Sequence, residues 1–203
     1  MLSLTKDFED KIKLSDGKIY KLHLGYRVVL KWYEMLEDKE LSDIDRIELS
    51  FNLFVDDVNV SLEEKAQVVN YITGMITERP YGKQEKNEGK ATAKKRFFSY
   101  TKDAEAIYAS FRYDYGIDLL DCPGMRWEKF QALFSNLSSE SPFIRIVQIR
   151  QKDTADLEGK ELSNTLELQR YYALDEKTTT ENLELDMQNA FSILQANSIK
   201  KGG

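Results

Sequence analysis

The sequence is short of the side chains on which most catalytic and metal sites depend, because its 203 residues include one cysteine and one histidine. The single thiol, Cys122, excludes an internal disulfide and suits a reducing compartment. A Cys–His nucleophile would require Cys122 to meet His23 in space, and no local signature favours that pairing. We therefore expect Cys122 to lie in a turn between two helices and His23 to be a packed or surface side chain.

Glycine-rich loops are also lacking. The ten glycines are scattered, and none forms a loop that cradles phosphate or an elbow that presents a nucleophile. The acidic pair Asp56 and Asp57 lacks the glycine of a calcium loop, so we expect it to complement the positive end of the next helix. The sequence thus predicts no catalytic residue, no metal site and no cofactor, and the expected protein is not an enzyme.

Long apolar runs are missing too. No stretch approaches the ~20 apolar residues that span a bilayer. The first residues turn acidic at Asp7 and contain no apolar signal core. We therefore predict a cytosolic location and no membrane partner.

Charge is abundant but unevenly distributed around a net charge of −6. Residues 79–96 hold seven basic and two acidic side chains, a net of +5. Residues 34–64 hold eleven acidic and two basic side chains, a net of −9, and residues 153–186 hold ten and three, a net of −7. Acidic faces of this density repel phosphate backbones, so the chain as a whole is predicted not to bind nucleic acid. Residues 79–96 alone keep that alternative open.

The period of the apolar pattern changes from two to about 3.6 after Gly25. Before it, Asp16 and Gly17 lie between two short alternating runs, which predicts a β-hairpin. After it, apolar stripes predict successive helices that begin near Tyr26, Ser42, Ser61, Thr101, Met125, Ser141, Leu162 and Thr178. The predicted fold is mainly α, a multi-helix bundle with a small N-terminal β-hairpin.

Several helix ends have their own signals. Ser61 and Glu64 are spaced as a capping box, in which the hydroxyl and the carboxylate each satisfy a backbone amide. Gly116 is predicted to end a helix in the left-handed conformation. Ser141 followed by Pro142 predicts a helix start with serine as N-cap and proline at the first helical position.

The chain divides at a polar segment. Residues 80–96 have no apolar periodicity and are predicted to be a mobile basic linker or a long loop. They separate residues 1–79, the hairpin plus helices, from residues 97–176, a helical core segment. Residues 177–203 are predicted to form a C-terminal amphipathic helix, docked in cis on the body or in trans on a partner. The alternative that residues 1–176 form a single domain stays open.

Aromatic residues that are neighbours in the sequence are candidates for protein contacts. Adjacent helical positions point in different directions, so one of each pair is predicted to turn toward the surface or a second contact, where aromatics anchor interfaces. The alternative is that they fill a core between helix layers. The predicted partner-binding residues, taken from these pairs, the fifth helix and the C-terminal helix, are Trp32, Tyr33, Trp127, Phe130, Tyr171, Tyr172, Met187 and Phe191.

Five stretches carry a resemblance to a known family. They are GYRVVLKWYEML at 25–36, DYGIDL at 114–119, MRWEKFQALFSNL at 125–137, SPFIRIVQIRQKD at 141–153 and ELQRYYAL at 167–174. The chain resembles the phage protein family named for gene product fifteen, whose members lie in tail gene clusters of siphophages and prophages of Gram-positive bacteria. Glu128 stands where family-like sequences often carry an additional aromatic residue.

The resemblance implies a tail morphogenesis protein in the cytoplasm of the bacterial host, with no catalytic residues. The expected role is that of a tail assembly chaperone, which holds the long, hydrophobic tape measure protein soluble until the tail tube polymerises around it. The expected partners are the tape measure protein or other tail proteins, and self-association stays open. The alternative is a structural head–tail connector or tail component retained in the virion.

Overall fold

Helices make up most of the described chain, which comprises residues 2–56, 58–78 and 97–174 together with Met187 in a computed structural model. Two short strands come first, β1 (Lys11–Lys13) and β2 (Ile19–Lys21). The helices that follow are α1 (Tyr26–Leu36), α2 (Asp43–Phe54), α3 (Leu62–Thr77), α4 (Ala104–Tyr115), α5 (Trp127–Phe134), α6 (Pro142–Gln151) and α7 (Gly159–Tyr171). The predicted fold class, mainly α with a small N-terminal β-hairpin, is confirmed.

The hairpin rests one face on the helices. Ile12 pairs with Tyr20 on that face, and both side chains pack partly buried against the core. Leu14 and Leu22, just beyond the strands, are fully within it. Gly17 closes the turn with a φ of +80°, a conformation that glycine adopts without the clash of a Cβ atom.

Glu64 makes the start of α3 differ from the prediction. The Ser61 hydroxyl accepts a hydrogen bond from the Glu64 amide at 3.2 Å, as predicted. The Glu64 carboxylate, however, accepts from the amide and the hydroxyl of Ser15 at 2.6 and 2.5 Å. The predicted capping box is half formed, because this carboxylate anchors the hairpin turn to α3. A complete box occurs instead at α2, between Ser42 and Asp45.

Gly116 and Ser141 lie at helix ends, as predicted. Gly116 ends α4 with a φ of +65°, and its amide donates to the Arg112 carbonyl at 3.1 Å, which confirms the prediction. Ser141 directly precedes α6, and Pro142 is the first helical residue. Ser141 is thus the N-cap residue, as predicted, although its side chain makes no cap hydrogen bond. Its hydroxyl donates to the Ser138 carbonyl at 2.9 Å.

The predicted helix starts at Thr101, Met125 and Leu162 differ from the observed starts of α4, α5 and α7. At α5 the cause is a backbone bridge: the Tyr26 amide donates to the Met125 carbonyl, and the Trp127 amide donates to the Leu24 carbonyl, each at 2.9 Å. This bridge joins the beginnings of α1 and α5. The predicted linker at residues 80–96 and the predicted C-terminal helix lie outside the described residues, Met187 excepted.

α5 lies at the centre of an aromatic core. Its Trp127 and Phe130 rings stack on each other, with centroids 5.4 Å apart. From α1, the Tyr26 ring lies parallel to Phe130 at 5.2 Å, and the Tyr33 ring lies 6.2 Å from Trp127. From α4, the Phe111 ring stacks on Phe130 at 5.1 Å. Ring pairs at these separations add to the free energy gained from burial alone.

Residues on both sides of 79–96 contribute to this core. The Tyr100 ring lies 5.1 Å from Tyr33 and 5.9 Å from Trp127. The Trp127 indole N–H donates to the Ile76 carbonyl at 3.0 Å, which satisfies the one polar atom of a buried side chain. Helices before and after this segment therefore share one hydrophobic core.

Candidate interaction surface

Arg150, near the end of α6, joins three segments of the chain through one guanidinium group. Its Nη1 and Nη2 each lie 2.7 Å from an oxygen of the Asp103 carboxylate. Nη1 also donates to the Phe97 carbonyl at 2.8 Å, and Nε donates to the Tyr172 carbonyl at 2.6 Å. The chain just after α7 is thereby tied to the start of α4 and to the residues that precede it.

Asp103 completes this arrangement. It occupies the N-cap position of α4, but its side chain makes no cap hydrogen bond. The carboxylate instead accepts from Arg150 and from the Ser99 amide, the latter at 3.0 Å. Both charged side chains are nearly inaccessible to water. Because a buried charge without its partner is costly, loss of either side chain should strongly destabilise this part of the fold.

α7 has an inner face that binds α6 and an outer face open to solvent. On the inner face, the Gln169 amide group donates to the carbonyls of Ile149 at 3.0 Å and Lys152 at 2.8 Å, which satisfies backbone groups at the end of α6. On the outer face, Leu168 is 44% exposed and Tyr171 is 80% exposed. Side chains three positions apart are neighbours on a helix surface, so the two form one apolar surface.

Tyr171 and Tyr172 contact each other at the end of this surface. Their ring centroids lie 4.9 Å apart and their planes are almost perpendicular, at 86°. Tyr172 is partly buried and its carbonyl is held by Arg150, whereas Tyr171 extends into solvent. A tyrosine supported in this way offers a large contact area and has little side-chain freedom to lose on binding. We call Leu168, Tyr171 and Tyr172 the α7 patch.

The other predicted partner-binding residues do not join the α7 patch. Phe191 lies outside the described residues. The remaining ones are buried in the core, where they hold helices together and present no surface to a partner in this structure. These buried residues are Trp32, Tyr33, Trp127, Phe130 and Met187.

Trp32 and Tyr33 are adjacent aromatic residues of α1 that contact different helices. The Trp32 indole N–H donates to the Ser50 hydroxyl of α2 at 2.9 Å. The Tyr33 ring contacts Trp127 of α5. Because neighbouring helices cover α1 in both directions, two adjacent aromatics are buried together. The prediction for such a pair was a turn toward the surface or a second contact, and here the two side chains make contacts with two different helices, α2 and α5.

Arg150, Asp103 and Leu168 were missed by the sequence analysis. Arg150 and Asp103 are 47 residues apart, and no local pattern shows that a basic residue on one helix meets an acidic residue before another. The available signal was an arginine at the end of the apolar run of α6. Leu168 stands among polar neighbours and belongs to no apolar stripe, so its exposure could be seen only in the structure.

Glu128, the departure from family-like sequences, is buried within α5. Its carboxylate is paired with Arg126, whose Nη2 lies 2.7 Å from Oε1. The same guanidinium donates to the Glu9 carbonyl at 3.3 Å. Glu128 therefore pairs with the arginine that ties the start of α5 to the chain before the hairpin, and an aromatic side chain could not form this ion pair.

The side chains considered for chemistry are mostly committed to structural contacts. His23 Nε2 lies 2.9 Å from Asp56 Oδ1, so Asp56 pairs with the end of the hairpin. Its predicted role at the start of α3 is wrong, since α3 begins only at Leu62, and Asp57 lies outside the described residues. Cys122 is partly buried in the turn before α5.

The pKa of the Asp118 carboxyl group is shifted by a hydrogen bond from a neighbouring tyrosine. The Tyr108 hydroxyl donates to Asp118 at 2.8 Å, which lowers the pKa of Asp118 and raises that of Tyr108. Within residues 2–56, 58–78 and 97–174, no group of three or more His, Cys, Asp or Glu side chains is placed to hold a metal ion. Over that same part of the chain, no helix has both the length and the apolar character to cross a membrane.

These features define the class of protein: a mainly α-helical chain with an aromatic core and an outer helix that exposes an apolar patch. The sequence profile of the family described as Bacteriophage Gp15 protein matches residues 8–174. The chain belongs to this family, which confirms the resemblance drawn from the sequence. Membership indicates a phage structural or morphogenesis protein. No curated protein and no solved structure matches the chain.

Proposed function

We propose that the protein is a tail assembly chaperone that binds the tape measure protein in the cytoplasm of the bacterial host, without a catalytic step. The observation that carries the proposal is family membership across residues 8–174. A chaperone for a long, hydrophobic client needs accessible apolar surface on a charged body. The described residues bear on both requirements, the accessible apolar surface and the charged body.

The α7 patch supports the first requirement. Leu168 and Tyr171 are exposed on one helix face, and Tyr171 is the more exposed of the two. Apolar and aromatic side chains presented in this way receive the apolar face of an amphipathic helix. The net charge of −6 supports the second requirement, because like-charged copies resist aggregation while they hold a client.

Arg150 gives this surface a fixed shape. Its Nε holds the Tyr172 carbonyl at 2.6 Å, and Tyr172 in turn supports the Tyr171 ring. A binding surface that is ordered before the partner arrives loses less conformational entropy on association. The proposed client contact therefore depends on a polar clamp that itself stays out of contact with the client.

The direct test is co-expression of the tagged chain with the neighbouring tape measure gene, followed by affinity capture. The expected result is that tape measure protein remains in the supernatant and is captured with the tagged chain. The matched control expresses the tape measure gene with the tag alone. Tape measure protein that pellets equally in both cultures, with none captured, would contradict the proposal.

A second measurement separates the chaperone from a structural component. A chaperone leaves before the particle is complete, so mass spectrometry of purified virions should detect the chain at far below one copy per major tail protein. Abundant, stoichiometric copies would instead assign it to the connector or the tail. This comparison needs no variant and is unaffected by protein stability.

A further inference from the structure

The outer face of the hairpin concentrates positive charge on a chain whose net charge is −6. Lys11 lies directly opposite Lys21, and Lys13 lies directly opposite Ile19. Residues that oppose each other in an antiparallel pair share a face, so these four side chains form one surface. All four are exposed, and Ile19 is 67% exposed. We call them the hairpin patch.

The pairing of Lys11 with Lys21 is locally unfavourable, because like charges directly opposite each other destabilise a strand pair. Asp16 is the one acidic side chain in residues 11–21. Its carboxylate is already committed, since it accepts from the Tyr20 hydroxyl at 2.6 Å and the Lys18 amide at 2.9 Å. Local conflicts of this kind are expected at functional sites.

α2 carries a surface of the opposite sign. Ile44 and Glu48, and likewise Asp45 and Leu49, are four positions apart and adjacent on the helix surface. Ile44 is 50% exposed and Leu49 is 40% exposed, with the exposed Asp45 between them. Glu48 is partly exposed and also pairs with Lys65. We call these four α2 residues the α2 patch; it lies in the segment with a net charge of −9, residues 34–64.

We propose that the chain self-associates through the hairpin patch of one copy and the α2 patch of another. The hairpin patch places Ile19 among three lysines, and the α2 patch places Ile44 and Leu49 beside the carboxylates of Asp45 and Glu48, of which Glu48 already has one partner in Lys65. Contact would therefore relieve the Lys11–Lys21 repulsion and remove Ile19 from water together with Ile44 and Leu49. Lysines on exposed strands discourage the addition of another strand, which favours a helix as the occupant.

A second copy fits this surface better than nucleic acid does. The exposed Ile19 has no role against a phosphate backbone, and the rest of the chain is acidic. Because the two patches differ, the contact is heterologous and joins copies head to tail. It involves few residues, so we expect weak association that salt opposes. This inference is independent of the proposed chaperone role.

The first test measures molar mass by sedimentation equilibrium over a range of protein concentrations. At low ionic strength the mass should exceed the 23.6 kDa of one chain and rise with concentration. In about 0.5 M salt the association constant should fall by about tenfold or more. A mass of one chain at every concentration in low salt would overturn the proposal. So would a mass increase that nuclease treatment removes, since that would assign the hairpin patch to nucleic acid.

The second test reverses charge at the hairpin patch. The double variant Lys11→Glu, Lys21→Glu should weaken self-association by about tenfold or more, because it brings acidic side chains against the α2 patch. The control, Lys31→Glu with Lys102→Glu, makes the same change of net charge at exposed lysines elsewhere and should associate like the native chain. Equal losses in both variants would contradict a specific contact.

The third test changes the other side of the contact. The double variant Ile44→Lys, Leu49→Lys should also lose self-association, and it tests the proposal even if the hairpin variant fails to fold. Circular dichroism checks the fold of each variant. Mixing the two double variants should restore a complex that contains both, since the native hairpin patch of the Ile44→Lys, Leu49→Lys variant can still meet the native α2 patch of the Lys11→Glu, Lys21→Glu variant. A mixture that remains as separate single chains would overturn the assigned pairing.

Discussion

The aromatic core around α5 and the outer layer formed by α7 are stabilised in different ways. In the core, Trp127 and Phe130 are buried among rings from α1 and α4. In the layer, Thr165 is the buried residue of α7, and the attachment rests on hydrogen bonds from Gln169 and Arg150. One region is stabilised mainly by apolar burial and the other by directional polar contacts.

This difference has a consequence for binding. A helix that packs through apolar side chains buries them against the rest of the protein. A helix attached through polar side chains leaves its apolar side chains exposed and available to a partner. Leu168 and Tyr171 are available in this sense. Regions held by few apolar contacts also open at lower free energy than the core does. We therefore expect α7 to serve binding and α5 to serve stability.

The largest expected effect is in the core. Trp127→Ala should lower the free energy of unfolding by about 3–5 kcal/mol, because it leaves a cavity among several rings and removes the indole hydrogen bond to the Ile76 carbonyl. Urea denaturation measures this loss. Tyr113→Ala, at an exposed tyrosine of α4, is the control and should change stability by less than about 0.5 kcal/mol. Equal effects would remove the distinction between core and surface.

The next effect is in the polar clamp of the outer layer. Arg150→Met should cost about 3 kcal/mol, because the Asp103 carboxylate stays buried without its partner. Adding Asp103→Leu should recover much of that loss, since two apolar groups replace two buried charges. A denaturation series of both variants tests this order. A double variant less stable than Arg150→Met would show that burial of charge is not the main cost.

A smaller effect is expected at Gln169, which holds α7 on α6. Gln169→Ala should lower stability by about 1 kcal/mol, because the Lys152 carbonyl loses this donor and the Ile149 carbonyl keeps only the Lys152 amide. Hydrogen exchange should become faster in α7 and stay unchanged in α5. Faster exchange in both helices alike would mean that layer and core open as one unit.

The smallest effect is at the end of α4. The hydrogen bond from Tyr108 lowers the pKa of Asp118, so it stabilises the fold above the ordinary pKa of the carboxyl group. That contribution is lost as the pH falls through the lowered pKa. Tyr108→Phe should raise the pKa of Asp118 toward its ordinary value, as measured by NMR titration. The stability difference between the two proteins should vanish in acid, and a difference that persists there would point to packing instead.

The sequence predicted the parts of the fold that depend on local physics. The hairpin at Asp16-Gly17 and the left-handed end of α4 at Gly116 follow from residues that touch only their neighbours along the chain. The capping box at Ser61 was half right, because the Glu64 carboxylate found a partner 49 residues away in sequence. A local sequence pattern shows which hydrogen bonds a side chain is able to make. The tertiary contacts determine which of these hydrogen bonds it makes in the folded protein.

The candidate site was harder to predict for the same reason. Tyr171 and Trp32 each stand next to another aromatic residue, yet one is exposed and the other is fully buried. What separates them is how many neighbouring helices cover their own helix, which no single-sequence pattern records. The clamp between Arg150 and Asp103 is likewise a property of packing. Family resemblance was visible from the sequence because it depends on residue order and not on burial.

The account is tested most directly by a variant of the α7 patch measured in two ways. Leu168→Ala with Tyr171→Ala removes the exposed apolar groups of α7 and leaves the Arg150 clamp in place. We predict that capture of co-expressed tape measure protein falls by about tenfold or more, while the free energy of unfolding changes by less than about 0.5 kcal/mol. Tyr113→Ala should leave both quantities unchanged. Undiminished capture by the double variant, at unchanged stability, would contradict the claim that α7 serves binding.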